Sequence, residues 1–180
     1  GMDDVSDGGG GGAYGGRGGR NGDNENQGGL TYGDPLAPIF LGSGGGKGDS
    51  DAEGGTGGGA IKINVTGTFE HNGTITSNGG AGNPSEGNNE AGGGGSGGSI
   101  WIYTDNLIGN GSFSADGGQG AIDTGDDGGG GSGGRIAVYY NTISEIDISN
   151  SSVLGATSLG NGKQGDPGTL GFIDIDQNNL

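Results

Sequence analysis

Two octapeptides, GGGGSGGS at 92–99 and GGGGSGGR at 128–135, stand 36 residues apart, and each runs straight into an apolar tetrad. A match of this length at one spacing marks an internal repeat, and repeats of roughly 20–50 residues stack so that neighbouring units share one core. The tetrads are Ile100-Trp101-Ile102-Tyr103 and Ile136-Ala137-Val138-Tyr139. Two further copies flank them, GGGAIKINV at 57–65 and GTLGFIDI at 168–175. Within every copy the apolar residues alternate, which is the period of a strand. Stacking then predicts two inward columns, Ile61-Ile100-Ile136-Leu170 and Ile63-Ile102-Val138-Phe172. A shorter strand follows in the first two units, in NGTITSNGG at 72–80 and NGSFSADGG at 110–118. In the third unit Ile146 and Ile148 are expected to take that role.

Composition alone points the other way. Glycine supplies 54 of 180 residues, and Leu, Ile, Val and Phe together only 30, below the roughly 20% under which a highly charged chain is usually disordered. Position overrules composition, because the glycine blocks hold their side chains at every third place: Tyr14, Arg17 and Arg20, then Ser96 and Ser99, then Ser132 and Arg135. Three residues per turn is the period of polyproline II, and glycine on the remaining edges lets such segments approach and hydrogen-bond to one another. The expected fold is therefore all-β, a β-solenoid of stacked short strands joined by polyproline-II-like (polyglycine II) segments. Residues 1–58 read as a cap or lateral cover, and 59–180 as the repeat domain, with units near 59–97, 98–133, 134–167 and 168–180. Few prolines and no sustained Gly-X-Y register exclude collagen.

Charge and chemistry-bearing residues narrow the function classes. Twenty-two acidic and six basic side chains give a net charge of −16, so no nucleic-acid partner is expected. The longest apolar run, Leu36 to Leu41, is too short for a membrane-spanning helix, so no membrane insertion is expected. Zero cysteines exclude disulfides and thiolate sites. The start, Gly1-Met2-Asp3-Asp4, shows no basic-then-apolar leader and reads as a mature end, a fragment or a remnant of cloning.

Asp49-Ser50-Asp51-Ala52-Glu53-Gly54 reproduces the first half of an EF-hand loop, but the twelfth place is Ala60 instead of a bidentate glutamate. Asp49, Asp51 and Glu53 are thus the candidate calcium ligands, a solvated acidic turn is the preferred reading, and no cofactor is required. Asp3-Asp4-Asp7, Asp123-Asp126-Asp127 and Asp174-Asp176 read mainly as solubilising loop charge. Asp126 and Asp127 with Arg135 are the only group faintly suited to cleaving a polysaccharide, and they sit in a glycine block, so no enzyme is expected. His71 is the sole histidine, too few for a triad, and is expected at a turn. Acceptor motifs for N-glycosylation fall at Asn64, Asn72, Asn110 and Asn150.

The outward alternates carry more information. They place Lys62, Trp101 and Ala137 in one exterior column and Asn64, Tyr103 and Tyr139 in the next. Trp101, Tyr103, Tyr139 and Tyr140 then form an aromatic patch fit for sugar stacking, for a subunit interface, or for covering the sheet.

The succession GGLTYGDPLAPIFLGSGGG, GGGAIKINVTGTF, GGGGSGGSIWIYT with GNGSFSADGGQG, and GGGGSGGRIAVYY resembles a glycine-rich module of very large secreted or surface proteins, over about residues 8–140. More loosely, the strand repeats are similar to filamentous-haemagglutinin-type β-helical adhesins, and the glycine blocks resemble the polyglycine lattices of phage tail-tip adhesins. The resemblance implies an extracellular structural or adhesive role without a defined catalytic site. The expected function is thus a self-associating structural subunit or module of a surface fibre, filament or matrix layer, at the cell surface or outside it. A glycan-binding adhesin is the alternative, and a β-helical polysaccharide-degrading enzyme a remote third.

Overall fold

In a computed structural model that describes residues 8–23, 27–48, 51–87 and 90–176, the repeats stack in the expected register. Strands β1 (Ala60–Glu70), β3 (Ser99–Ile108), β5 (Arg135–Tyr140) and β7 (Thr169–Asp174) form one parallel sheet in the order β1-β3-β5-β7. β6 (Thr142–Ser144) continues the third turn beside the second half of β3. β2 (Thr74–Thr76) and β4 (Ser112–Ser114) pair in parallel as a second, narrower face. Among the described residues there is no α-helix, only a single 3-10 turn at Ile148–Asn150. The chain is a parallel β-solenoid of about three turns.

Both inward columns form: Ile61 faces Ile100, Ile100 faces Ile136 and Ile136 faces Leu170, while Ile63, Ile102, Val138 and Phe172 align beside them. The fully buried core is small, comprising Ile100, Ile102, Leu107, Phe113, Ala115, Ile136 and Val138. Column members on the first and last turns are only half-buried, because each lacks a neighbouring turn on one side. Between Val65 and Thr68 the register slips. Gly67 supplies the needed backbone there, at φ +101°, a region that side chains disfavour.

What replaces the missing apolar core is a lattice of glycine backbone. Residues 91–98 are all buried, and their amides donate to three neighbours in strict rotation. Ala91, Gly94 and Gly97 bond to the carbonyls of Asp126, Gly129 and Ser132; Gly92, Gly95 and Gly98 bond to Asn83, Gly80 and Ser77; Gly93 and Ser96 bond to Gly46 and Ser43. Their carbonyls in turn accept from Gly9 and Gly12, from Gly55 and Gly58, and from Ala121 and Gly118. One segment thus has six extended neighbours, the arrangement that a three-residue helix without side chains permits. Residues 128–134 repeat it, donating to 115–121, to 9–12 and to 163–166.

Glycine serves here for close approach and not for unusual dihedrals. Among the described glycines only Gly33, Gly67 and Gly109 have positive φ, whereas a Cβ on Gly94, Gly95 or Gly131 would lie closer than 3.0 Å to a facing carbonyl. Side chains occur where the threefold rotation aims them at space or at a donor. Arg17 and Arg20 project to solvent, while buried Ser96 and Ser132 accept from the amides of Ser43 and Tyr14 at 2.9 and 3.0 Å.

Acidic and amide side chains staple successive turns. Asp105 accepts from the Gly67 amide, Asn78 from Asp116, Asp116 from Leu154 and Asp123 from Ser85, each across 38 residues. These three carboxylates are therefore structural, since a carboxylate on a backbone N–H is a charge-assisted bond.

The third turn departs from the sequence reading. The partner of β4 is the Ser151–Val153 stretch, through the Ser114–Ser152 bridge and the Ser152 amide on the Phe113 carbonyl, and not Ile146 with Ile148. Without the Asn-Gly turns of the earlier units, Ile143 takes the place beside Leu107. Ile146 then packs against the core edge, and Ile148 stands exposed in the 3-10 turn that Asp147 caps.

Candidate functional site

The outer face of the sheet gathers most of the aromatic residues that the alternation singled out. Tyr103 and Tyr139 occupy paired positions on β3 and β5, and their rings stack with centroids 4.6 Å apart and planes at 9°. Lys62 lies opposite Trp101 on β1, its ammonium 3.7 Å from the ring centroid, a cation–π contact. Trp101 Nε1 is buried without a hydrogen-bond partner. Tyr140 is not part of this group. It falls one position further along, on the inner side of the sheet, and packs against the core, because strand alternation sends neighbours to opposite faces.

The exterior column is also less exterior than expected, since Ala137 is fully buried. An extended stretch, residues 30–42, crosses this side of the sheet. Arg135 donates to the Tyr32 carbonyl at 3.0 and 3.2 Å, Tyr139 to the Leu36 carbonyl at 2.7 Å, and Ser99 to the Phe40 carbonyl at 2.6 Å. Beneath it Tyr14 is wholly buried, with its hydroxyl 2.7 Å from Ser99 Oγ and the Arg135 guanidinium 5.4 Å from its ring centroid. The stretch turns Leu30, Leu36, Ile39, Phe40 and Leu41 to solvent, an apolar strip within the segment that reads in sequence as a cap or lateral cover. Tyr103 remains the most open ring of the patch, at 39% exposure.

Burial raises the Tyr139 phenol above its usual 10.0, with Tyr103 and then Asp34 adding to it, and burial followed by Asp174 raises Tyr140. A raised phenol favours the protonated fold, so this stability is complete below pH 10 and is lost as pH climbs through the raised values. Urea titrations at rising alkaline pH should show stability declining above pH 10. The decline is shallower in Tyr139→Phe with Tyr140→Phe, and an unchanged slope contradicts the assignment.

Among the described residues the acidic candidates do not assemble. Asp49 lies outside the described residues. The carboxylate of Asp51 is occupied by Ser85 Oγ at 3.0 Å and the Glu86 amide at 2.8 Å, and Glu53 is exposed. No cluster of three His, Cys, Asp or Glu suited to a metal occurs among the described residues. Asp127 is buried and accepts from the amides of Asp123 and Asn161, whereas Arg135 is committed to Tyr32 and Thr169, so the imagined carboxylate–arginine group is split between two structural roles. Asp3, Asp4 and Asp7 lie outside the described residues.

His71 sits past β1 as expected but is buried, its ring between Phe69 and Phe113 and its Nε2 3.0 Å from the Ser112 carbonyl oxygen. Asn64, Asn72, Asn110 and Asn150 are all exposed. Among the described residues no helix is long and apolar enough to cross a membrane. No protein-family model, curated protein or solved structure matches the chain.

Proposed function

We propose that this chain is a structural subunit or module of an extracellular fibre, filament or surface layer that associates with itself. One observation carries the reading: the glycine segment 91–98 runs with six hydrogen-bonded neighbours inside a stack of repeated turns whose outer strands, β1 and β7, are unpaired on one side. Such a body is rigid without side-chain packing, and a stack of like units extends by adding more. The resemblance to glycine-rich modules of secreted proteins and to β-helical adhesins accords with a place outside the cell. So do the exposed acceptor asparagines and the acidic charge. The apolar strip at Leu36, Ile39, Phe40 and Leu41 suits lateral contact between copies.

Electron microscopy of the purified chain, with sedimentation over a wide concentration range, tests this. Fibres or sheets that grow with concentration are expected, and a strict monomer throughout overturns the proposal. A second reading, a glycan-binding adhesin, rests on the stacked Tyr103–Tyr139 pair, whose open ring offers a face for a sugar. Retention of glycan binding after Tyr103→Ala contradicts it.

A further inference from the structure

We infer that the two ends of the solenoid dock on each other, the β7 edge of one copy pairing in parallel with the β1 edge of the next. This rests on the fibre reading above and names its joint. The molecule already contains that joint three times, as β1–β3, β3–β5 and β5–β7, all parallel and all starting in line at Ala60, Ser99, Arg135 and Thr169. At each, the first residue of the later strand donates to the glycine carbonyl that precedes the earlier one: Ser99 to Gly59, Arg135 to Gly98, Thr169 to Gly134. The next bond in the series runs from the Ala60 amide of a second copy to the Gly168 carbonyl. It sets Ile61 opposite Leu170, Lys62 opposite Gly171 and Ile63 opposite Phe172. Those four apolar side chains are the half-buried ends of the core columns, and docking would complete their burial.

An independent mark comes from the glycines themselves. Gly98, Gly134 and Gly168 are required by the turn in front of them, since a Cβ on each would lie closer than 3.0 Å to the oxygen of Gly59, Gly98 or Gly134 respectively. Gly59 is the same repeat position on the first turn, yet a Cβ there meets nothing within 4 Å. The same holds for Gly73, whose successor Gly111 is packed against the His71 ring. Neither Gly59 nor Gly73 has positive φ. Among the described residues of one copy, nothing requires glycine at these places. At Gly59 a preceding turn with the Gly168 carbonyl at its rim does.

Among the described residues the β1 edge is also undefended. β1 is eleven residues long, has no proline and carries only Lys62 and Glu70 as charges, whereas exposed edges are normally blunted against pairing. Because the joint is head-to-tail and repeats the stacking step of the solenoid itself, each added copy continues the stack and extends a filament.

The absence of native cysteine makes the test clean. Lys62→Cys and Gly171→Cys, carried on one chain, place thiols at paired Cα positions across the joint, within disulfide reach. A Cβ at Gly171 meets the Ile173 side chain and the Ile136 carbonyl oxygen, all at ordinary distances of 3.5–4.0 Å. Oxidation at about 0.15 M salt, where the Debye length is about 8 Å and the repulsion between acidic copies is screened, is expected to give a ladder of linked dimers, trimers and longer species. Asn64→Cys with Gly171→Cys, out of register, is expected to stay at background. Gly59→Val, folded with unchanged thermal stability because its side chain enters open space, is expected to abolish both the ladder and the filaments. Filaments that persist in Gly59→Val, or a ladder that ignores register, overturn the end-on joint while leaving the fibre reading. A wild-type chain that stays monomeric overturns both.

Discussion

Gly131→Ala is expected to cost at least about 3 kcal/mol, the upper end of the usual penalty for overpacking. Gly131 lies in the middle of the second lattice segment, where its amide donates to the Gly118 carbonyl and its carbonyl accepts from Ala156, both at 2.9 Å. An added methyl would meet the Gly95 carbonyl oxygen closer than 3.0 Å. Two effects oppose each other. The substitution restricts the unfolded chain, worth about 0.4–1 kcal/mol in favour of folding, and the backbone of Gly131 lies outside the positive-φ region that alanine avoids. The clash wins, because what it strikes is backbone held by its own hydrogen bonds. A side chain would rotate away, whereas moving this segment loosens several bonds worth about 1 kcal/mol each. Against a typical total of about 5–15 kcal/mol, that is a large share. Gly73→Ala is the control, since its methyl enters open space and leaves stability unchanged or slightly raised. Urea unfolding of the two variants decides it. Equal stabilities contradict a lattice held by close backbone approach.

The sequence marked the columns well because strand alternation names both the face and the partner of each apolar residue. Ile100 could only align with Ile61 and Ile136 once the glycine octapeptides fixed the offset. Period three likewise identified the extended segments, through residues such as Arg17 and Arg20. What it could not identify was which segment touches which. Gly9, Gly46 and Gly55 are indistinguishable as letters, and a neighbour chosen by backbone hydrogen bonds leaves no side-chain signature. The threading of residues 8–22 between the second and third turns was illegible for that reason. Tyr140 was misplaced by treating adjacent aromatics as one patch, although a single step along a strand reverses the face. The third short strand, at Ser151–Val153, lacks the apolar centre flanked by Ser or Thr that marks β2 and β4. The turn there is closed instead by Ser151 and Ser152, which bond to the Phe113 amide at 3.1 Å and to Asp116 at 2.7 Å. The aromatic patch was half legible: pairing placed Tyr103 on Tyr139, but only three dimensions show residues 30–42 crossing above them.

Phe113→Ala should be the most damaging of the side-chain truncations, at about 3–5 kcal/mol. Phe113 is among the largest wholly buried side chains. It stands on β4, the short face, where apolar letters are few. Its ring is stacked with His71 at 4.7 Å and lies 6.0 Å from Phe172 on the last turn. Removing it opens a void between turns that the glycine lattice cannot collapse to fill, since the flanking backbone is tied in every direction. The same rigidity that makes an added methyl costly at Gly131 makes a lost ring costly here, because neither error can be absorbed by repacking. Phe113→Leu, which keeps part of the volume, should fall between the variant and wild type. Phe40→Ala provides the comparison, because that ring is about half exposed and its removal leaves no internal cavity. Thermal and urea unfolding should rank Phe113→Ala far below Phe40→Ala. If the two lose equal stability, the few apolar residues are not a working core and the backbone lattice alone holds the fold.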